Sequence, residues 1–190
     1  MNGHTAEYSR LPPTRMKIHH TPSTKKISQW MLAFFWLALL LLLALIFNHT
    51  EHQRDNPNQQ PTTTTDASGT RTIILQRNHT GYYQVSGHIN HRPVIFLLDT
   101  GASHVAIPLA LAKSLGLQRG AEFSSATANG STQVYHTWIQ TLQIGSIQLN
   151  QLEGTLLPNM KGEQILLGMS ALQQLNFAQE GDRFILQQPK

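Results

Sequence analysis

The sequence predicts an all-β, barrel-like domain with one or two short helices, preceded by a single transmembrane helix. Two observations lead to this. From Trp30 to Phe47 no side chain is charged or strongly polar, and eighteen residues at about 1.5 Å each come near the roughly 30 Å of a bilayer core. Beyond residue 70 the chain reads as many short apolar and β-branched runs punctuated by Gly, Asn and Asp, the pattern of strands joined by turns.

The apolar run, extended to residues 27–47 by Ile27, Ser28 and Gln29, is expected to be a retained anchor. Ala44-Leu45-Ile46-Phe47 leads straight into Asn48 and His49, without the small-residue site at which a signal peptide is cleaved. Residues 1–26 carry Arg10, Arg15, Lys17, Lys25 and Lys26 against Glu7. The basic flank stays in the cytoplasm, so the larger C-terminal part is expected outside it. Residues 48–70, rich in Asn, Gln, Pro and Thr, read as a flexible linker. The folded domain is expected over residues 71–190.

Charge and cysteine content exclude several classes. The high pI of about 9.6 owes much to the tail; residues 71–190 hold eight Lys and Arg against six Asp and Glu, so nothing suggests nucleic acid. With no cysteine, disulfides, thiolate metal sites and a cysteine nucleophile are excluded. The ten histidines are scattered. His88 and His91 lack a third ligand at useful spacing, and no metal or other cofactor is expected.

Within the domain, strands are expected at Thr72–Gln76, Tyr82–Ile89 and Val94–Leu98, with a turn at Asn90-His91. Pro108 opens a short helical pattern that Gly116 ends. Asn129-Gly130 marks a two-residue hairpin. Strands at Val134–Ile144 and Ile147–Leu157 turn at Gly145-Ser146. Ile165–Leu167 is a short buried run, Ser170–Leu175 a turn or two of helix, and Gly181-Asp182 the last turn.

The chemistry concentrates at Asp99. The apolar run Val94-Ile95-Phe96-Leu97-Leu98 delivers a carboxylate to the turn Thr100-Gly101-Ala102-Ser103. Asp182, the other aspartate beyond Asp66, sits beside Gly181 in an ordinary turn. A carboxylate at the end of a buried strand is tolerated when paired, hydrogen-bonded or functional; a plain Asp-capped turn is the bland alternative. Gln164-Ile165-Leu166-Leu167-Gly168 repeats the logic about seventy residues later, without the acid.

With these motifs the chain resembles the retropepsin-like aspartic proteases, and most closely their bacterial membrane-anchored branch. The resemblance lies in Asp-Thr-Gly-Ala-Ser at Asp99–Ser103, Thr-Ala-Asn-Gly at Thr127–Gly130 and Leu-Leu-Gly-Met-Ser at Leu166–Ser170, in this order over roughly residues 80–187. It implies a retropepsin-like barrel and an aspartic endopeptidase acting on a peptide or protein substrate. One aspartate per chain implies a homodimer that brings together two copies of Asp99. Thr100 would donate across that interface, and Gly101 would let the backbone turn beside the partner, with Ala102 and Ser103 completing the loop. Thr127, Ala128, Asn129 and Gly130 would form a flap over substrate. Leu166, Leu167 and Gly168 would support the Asp99 loop. Ala102 stands where pepsin-like enzymes place Ser, which implies activity nearer weakly acidic or neutral pH. His104 would line the cleft, or be a surface turn histidine. The implied location is the bacterial inner membrane, with the domain in the periplasm. A non-catalytic, membrane-tethered peptide-binding or dimerisation module is the principal alternative, and a purely structural envelope protein a third.

Overall fold

The computed structural model describes residues 24–127 and 130–190. Its contacts divide the chain into two compact units, Met1–Leu45 and Ile46–Lys190. Helix α1 runs over Thr24–Asp55. It contains an apolar window, Gln29–Ile46, long enough to cross a membrane, and Trp30, Phe34, Phe35 and Trp36 within it are exposed.

Beyond the end of α1, the described residues of the second unit are all-β apart from two small turns of helix. Strands β1 (Thr63–Thr65), β2 (Arg71–Gln76), β10 (Asn176–Glu180) and β11 (Arg183–Gln188) form a four-stranded sheet in the order β1-β2-β11-β10. Seven strands form the other: β3 (Gln84–Ile89), β4 (Arg92–Leu98), β5 (Val105–Pro108), β6 (Glu122–Thr127), β7 (Gly130–Ile144), β8 (Ile147–Leu157) and β9 (Gln164–Leu167), in the order β3-β4-β9-β5-β8-β7-β6. A further pairing of β3 with β7, His88 to Gln143 and Ile89 to Leu142, joins the ends of the first six. The result is a small barrel, and closure removes the edges that would otherwise lie unpaired. Closure depends on Gly87. A side chain there would overlap the Gln143 carbonyl oxygen and lie 2.7 Å from the Phe96 ring.

Fully buried Phe96, Ile107, Ile139, Leu142, Leu156 and Ile165 fill the interior. Alternation explains much of this. Along β7, Val134, Thr137, Ile139 and Leu142 face inward while Trp138 and Gln140 lie exposed, as a strand with one wet face requires. Three expected turns are seen. Asn90 and His91 take positive φ of 48° and 64° between β3 and β4, Gly145 turns β7 into β8, and Gly181 turns β10 into β11.

Elsewhere the structure departs from the sequence expectation. Pro108 ends β5, and the helical pattern after it is a single 3-10 turn, Leu109–Leu111, with Gly116 at φ 66°. Thr127 pairs with Gly130 at the end of the β6–β7 ladder; of the expected Asn129-Gly130 turn, Asn129 lies outside the described residues. The segment assigned to the linker is largely built into the fold. Asn58 is buried, and its side-chain amide donates to the carbonyls of Gln76 and Gln84 at 2.9 and 2.6 Å. Its side-chain oxygen accepts from the Gln76 amide at 2.8 Å. Asn56 reaches Ser86 Oγ at 3.0 Å, Asn78 holds the Asp55 carbonyl at 3.0 Å, and β1 pairs with β2. This clasp is ordered by hydrogen bonds rather than apolar burial, which is why its composition resembles that of a tether.

Candidate active site

Asp99 follows the last residue of β4. That strand runs parallel to β9, with Leu97 beside Leu166 and Leu98 beside Leu167. The Asp99 amide continues the ladder by donating to the Leu167 carbonyl at 3.2 Å. Two apolar strands thus leave the core together and end at the two motifs, Asp99-Thr100-Gly101 and Gly168.

The loop is held internally and from below. The Gly101 amide donates to Asp99 Oδ1 at 2.9 Å, and the Ala102 amide to the Asp99 carbonyl at 3.2 Å. At the start of helix α2 (Met169–Leu172), the amides of Met169 and Ser170 donate to the carbonyls of Ala102 and Ser103 at 2.8 and 2.9 Å. Gly168 fits beneath, because a side chain there would lie 2.7 Å from the Ala102 carbonyl oxygen and would overlap that of His104. Asp99 is half-buried, while Thr100, Gly101 and Ser103 are exposed. The Thr100 hydroxyl makes no hydrogen bond among the described residues.

Ser170, expected only as the end of a motif and the start of a helical turn, proves to be a hub. Its buried hydroxyl donates to the Glu153 carbonyl at 2.8 Å and accepts from the Val105 amide at 3.0 Å. It therefore fastens β8 to the segment leaving the Asp99 loop. A serine just after the Leu-Leu-Gly turn was the available signal.

Residues 85–174 match the model of a family described as gag-polyprotein putative aspartyl protease. That span runs from β3 to just past α2 and contains both motifs. Over these 90 of its 190 residues the chain is similar to that family, and its second unit has a retropepsin-like fold. The fold agrees: the crystal structure of a retropepsin-like aspartic protease from Rickettsia conorii superposes with a TM-score of 0.53 at 24% identity, covering 68% of this chain and 94% of that one. An uncharacterized protein in the cobV 5' region of Sinorhizobium sp is 31% identical over 118 residues, 60% of this chain. The chain spans about half the length of this curated relative, 51%.

Within the retropepsin-like domain, Asp99, Thr100, Gly101, Ala102 and Ser103 are brought together with Leu166, Leu167 and Gly168. Thr127 and Gly130 stand apart at the end of the β6–β7 hairpin, while Ala128 and Asn129 lie outside the described residues. A row of side chains lies between loop and hairpin. His104 Nε2 is 3.3 Å from Glu153 Oε2, the His104 and His136 rings meet edge to face at 6.4 Å, and His136 stacks on Phe123 at 4.1 Å. Only His104 of these four was singled out from sequence. The others come from β6, β7 and β8, and nothing local marks them.

Proposed function

We propose that this chain is an aspartic endopeptidase that works as a homodimer, with Asp99 from each subunit forming the catalytic pair. The observation that carries the reading is the Asp99 loop itself. A half-buried carboxylate stands at the end of β4, its Oδ1 oriented by the Gly101 amide at 2.9 Å, and its support is Gly168 at the end of the parallel strand β9.

The chemistry needs two carboxyl groups in different protonation states. One, ionised, takes a proton from a water placed between them and the peptide carbonyl. The other, protonated, gives its proton to the carbonyl oxygen, so the tetrahedral intermediate forms without building up an alkoxide. Collapse with proton transfer to the leaving nitrogen restores the pair. Two carboxylates in contact share one proton because both cannot ionise at that distance. One chain supplies a single such aspartate, so a two-fold axis beside Asp99 completes the site. Exposure of Thr100 and Gly101 suits that axis, and the Thr100 hydroxyl is free to bond across it. The β6–β7 hairpin, tipped by residues 127–130, closes over bound peptide and excludes water. No metal or cofactor enters this scheme.

The apolar window of α1 and the basic residues before it support a single-pass inner-membrane anchor, with the N-terminus cytoplasmic and the protease domain in the periplasm. The clasp supports a domain that begins near Arg54.

The test uses the full chain in detergent micelles or nanodiscs with a peptide library. Cleavage by the wild type that disappears in Asp99→Asn supports the aspartic mechanism. Mixing wild type with a growing excess of Asp99→Asn should then reduce activity faster than dilution alone, because mixed dimers hold one competent carboxyl group. A folded protein that binds peptides and cleaves none would favour the tethered binding module. Orientation can be read from single cysteines placed at residues 10 and 190, since the natural chain has none.

A further inference from the structure

We propose that Glu153 is a specificity-determining residue, and that its carboxylate selects substrates carrying a lysine or arginine side chain close to the scissile bond. This deepens the protease reading and rests on it.

The position of Glu153 is unusually well fixed for a half-exposed side chain. Its carbonyl is held by Ser170 Oγ, the same atom that receives the Val105 amide. The next residue, Gly154, pairs with Val105 across the parallel β5–β8 ladder. The backbone beneath the carboxylate is therefore tied to the segment that leaves the Asp99 loop. A charge held on a rigid element discriminates better than the same charge on a mobile loop.

The carboxylate is directed by His104, five positions after Asp99, and retains capacity for another donor. The side chains of His104 and Glu153 are 33% and 51% exposed. An ionised carboxylate offers about four lone-pair sites, and a single imidazole contact uses one. Beyond His104 the row continues through His136 to Phe123, on the strands β7 and β6 whose ladder ends at the Thr127–Gly130 pair. A peptide gripped between hairpin and Asp99 loop passes along this row. Glu153 is the acid in it. Arg119, the cation on the segment leading into β6, lies with its guanidinium over the Tyr135 ring, 3.4 Å from the centroid. A lysine or arginine from the substrate thus meets an acceptor already oriented, above an aromatic floor formed by His136 and Phe123.

The experiment compares kcat/KM for matched peptides that differ only by Arg, Gln or Glu, scanned across positions flanking the cleavage site. The enzymes are the full-length wild type, Glu153→Gln and Glu153→Arg. At one position the wild type should prefer Arg to Gln by on the order of fivefold, the range of a partly exposed charge pair. Glu153→Gln should abolish that ratio and Glu153→Arg should invert it toward Glu, a reversal that a purely structural role for Glu153 would not produce. Identical charge profiles in wild type and Glu153→Gln overturn the proposal. The same peptides are also titrated against Asp99→Asn and the Asp99→Asn, Glu153→Gln double variant by fluorescence anisotropy. A Glu153-dependent preference in binding without any cleavage would keep the charge site and sink the protease reading. No such preference in binding would sink the charge site, whether or not peptides are cleaved.

Discussion

The α-carbon of Gly168 lies against the His104 carbonyl, with no room between them for a methyl group. Two segments far apart in sequence cross here at backbone distance. Part of the Leu-Leu-Gly pattern is thereby explained without chemistry: the glycine is there because the loop carrying Asp99 passes over it.

Gly168→Ala should therefore damage the site without touching a reacting group. A Cβ would lie 2.6 Å from the His104 carbonyl carbon and 2.7 Å from the Ala102 oxygen, both backbone atoms with little freedom to move. The expected cost is about 3 kcal/mol or more. Chemical denaturation checks the stability, and loss of peptide cleavage in any protein that still folds checks the displacement of Asp99.

Ser170→Ala tests the tie between β8 and the Asp99 loop. The variant leaves the Val105 amide and the Glu153 carbonyl without their hydroxyl partner. Each buried orphan costs roughly 1–3 kcal/mol, so a loss of about 3 kcal/mol is expected in urea unfolding. A change below about 0.5 kcal/mol, the scale of an ordinary surface substitution, would mean that water replaces the hydroxyl freely.

Asn58 offers a sharper contrast. Its amide nitrogen sits between two carbonyl oxygens and its oxygen faces an amide. Asn58→Asp keeps the shape but replaces a double donor with an acceptor, and should destabilise at least as much as Asn58→Ala, by about 2–4 kcal/mol. For the same reason residues 54–190 should melt on the order of 10 °C above residues 71–190. Equal melting temperatures would show that the clasp contributes nothing.

Acid provides a local test at Asp66. Its carboxylate accepts from Ser68 Oγ and from the amides of Ser68 and Thr70. The Ser68 hydroxyl above all, opposed by desolvation and helped less strongly by the backbone amides of Thr70, Ser68 and Gly69, holds it below the ordinary carboxylate range. A depressed folded-state value means that the stabilisation is present at neutral pH and is lost as pH falls through that value. Asp66→Asn should therefore loosen the 66–70 turn at pH 7 but make no difference near pH 2, as read from amide exchange at Gly69 and Thr70.

Turns and local runs were legible in the sequence because their causes are local. Asn90-His91 and Gly181 announce themselves by residue type, and Leu97-Leu98 by apolarity. Strand β5 was not legible. Val105-Ala106-Ile107-Pro108 is four residues long and ends in proline, and it owes its conformation to β8 and β9, some fifty residues away. At the site, Asp99 and Gly168 stood out. Glu153, His136 and Phe123 did not, since an exposed residue on a strand carries no mark of what the barrel brings beside it.

The clasp also fixes where the folded domain takes hold of the chain. The fold takes hold of the chain at Arg54, whose carbonyl receives the His79 amide, whereas the apolar window ends at Ile46. Residues 47–53, between these two points, belong to helix α1. For a domain anchored as proposed, partner subunits meet by diffusion in a thin layer rather than in bulk solution, which raises their effective concentration. The proposed cleavage would then be restricted to chains that enter the same layer.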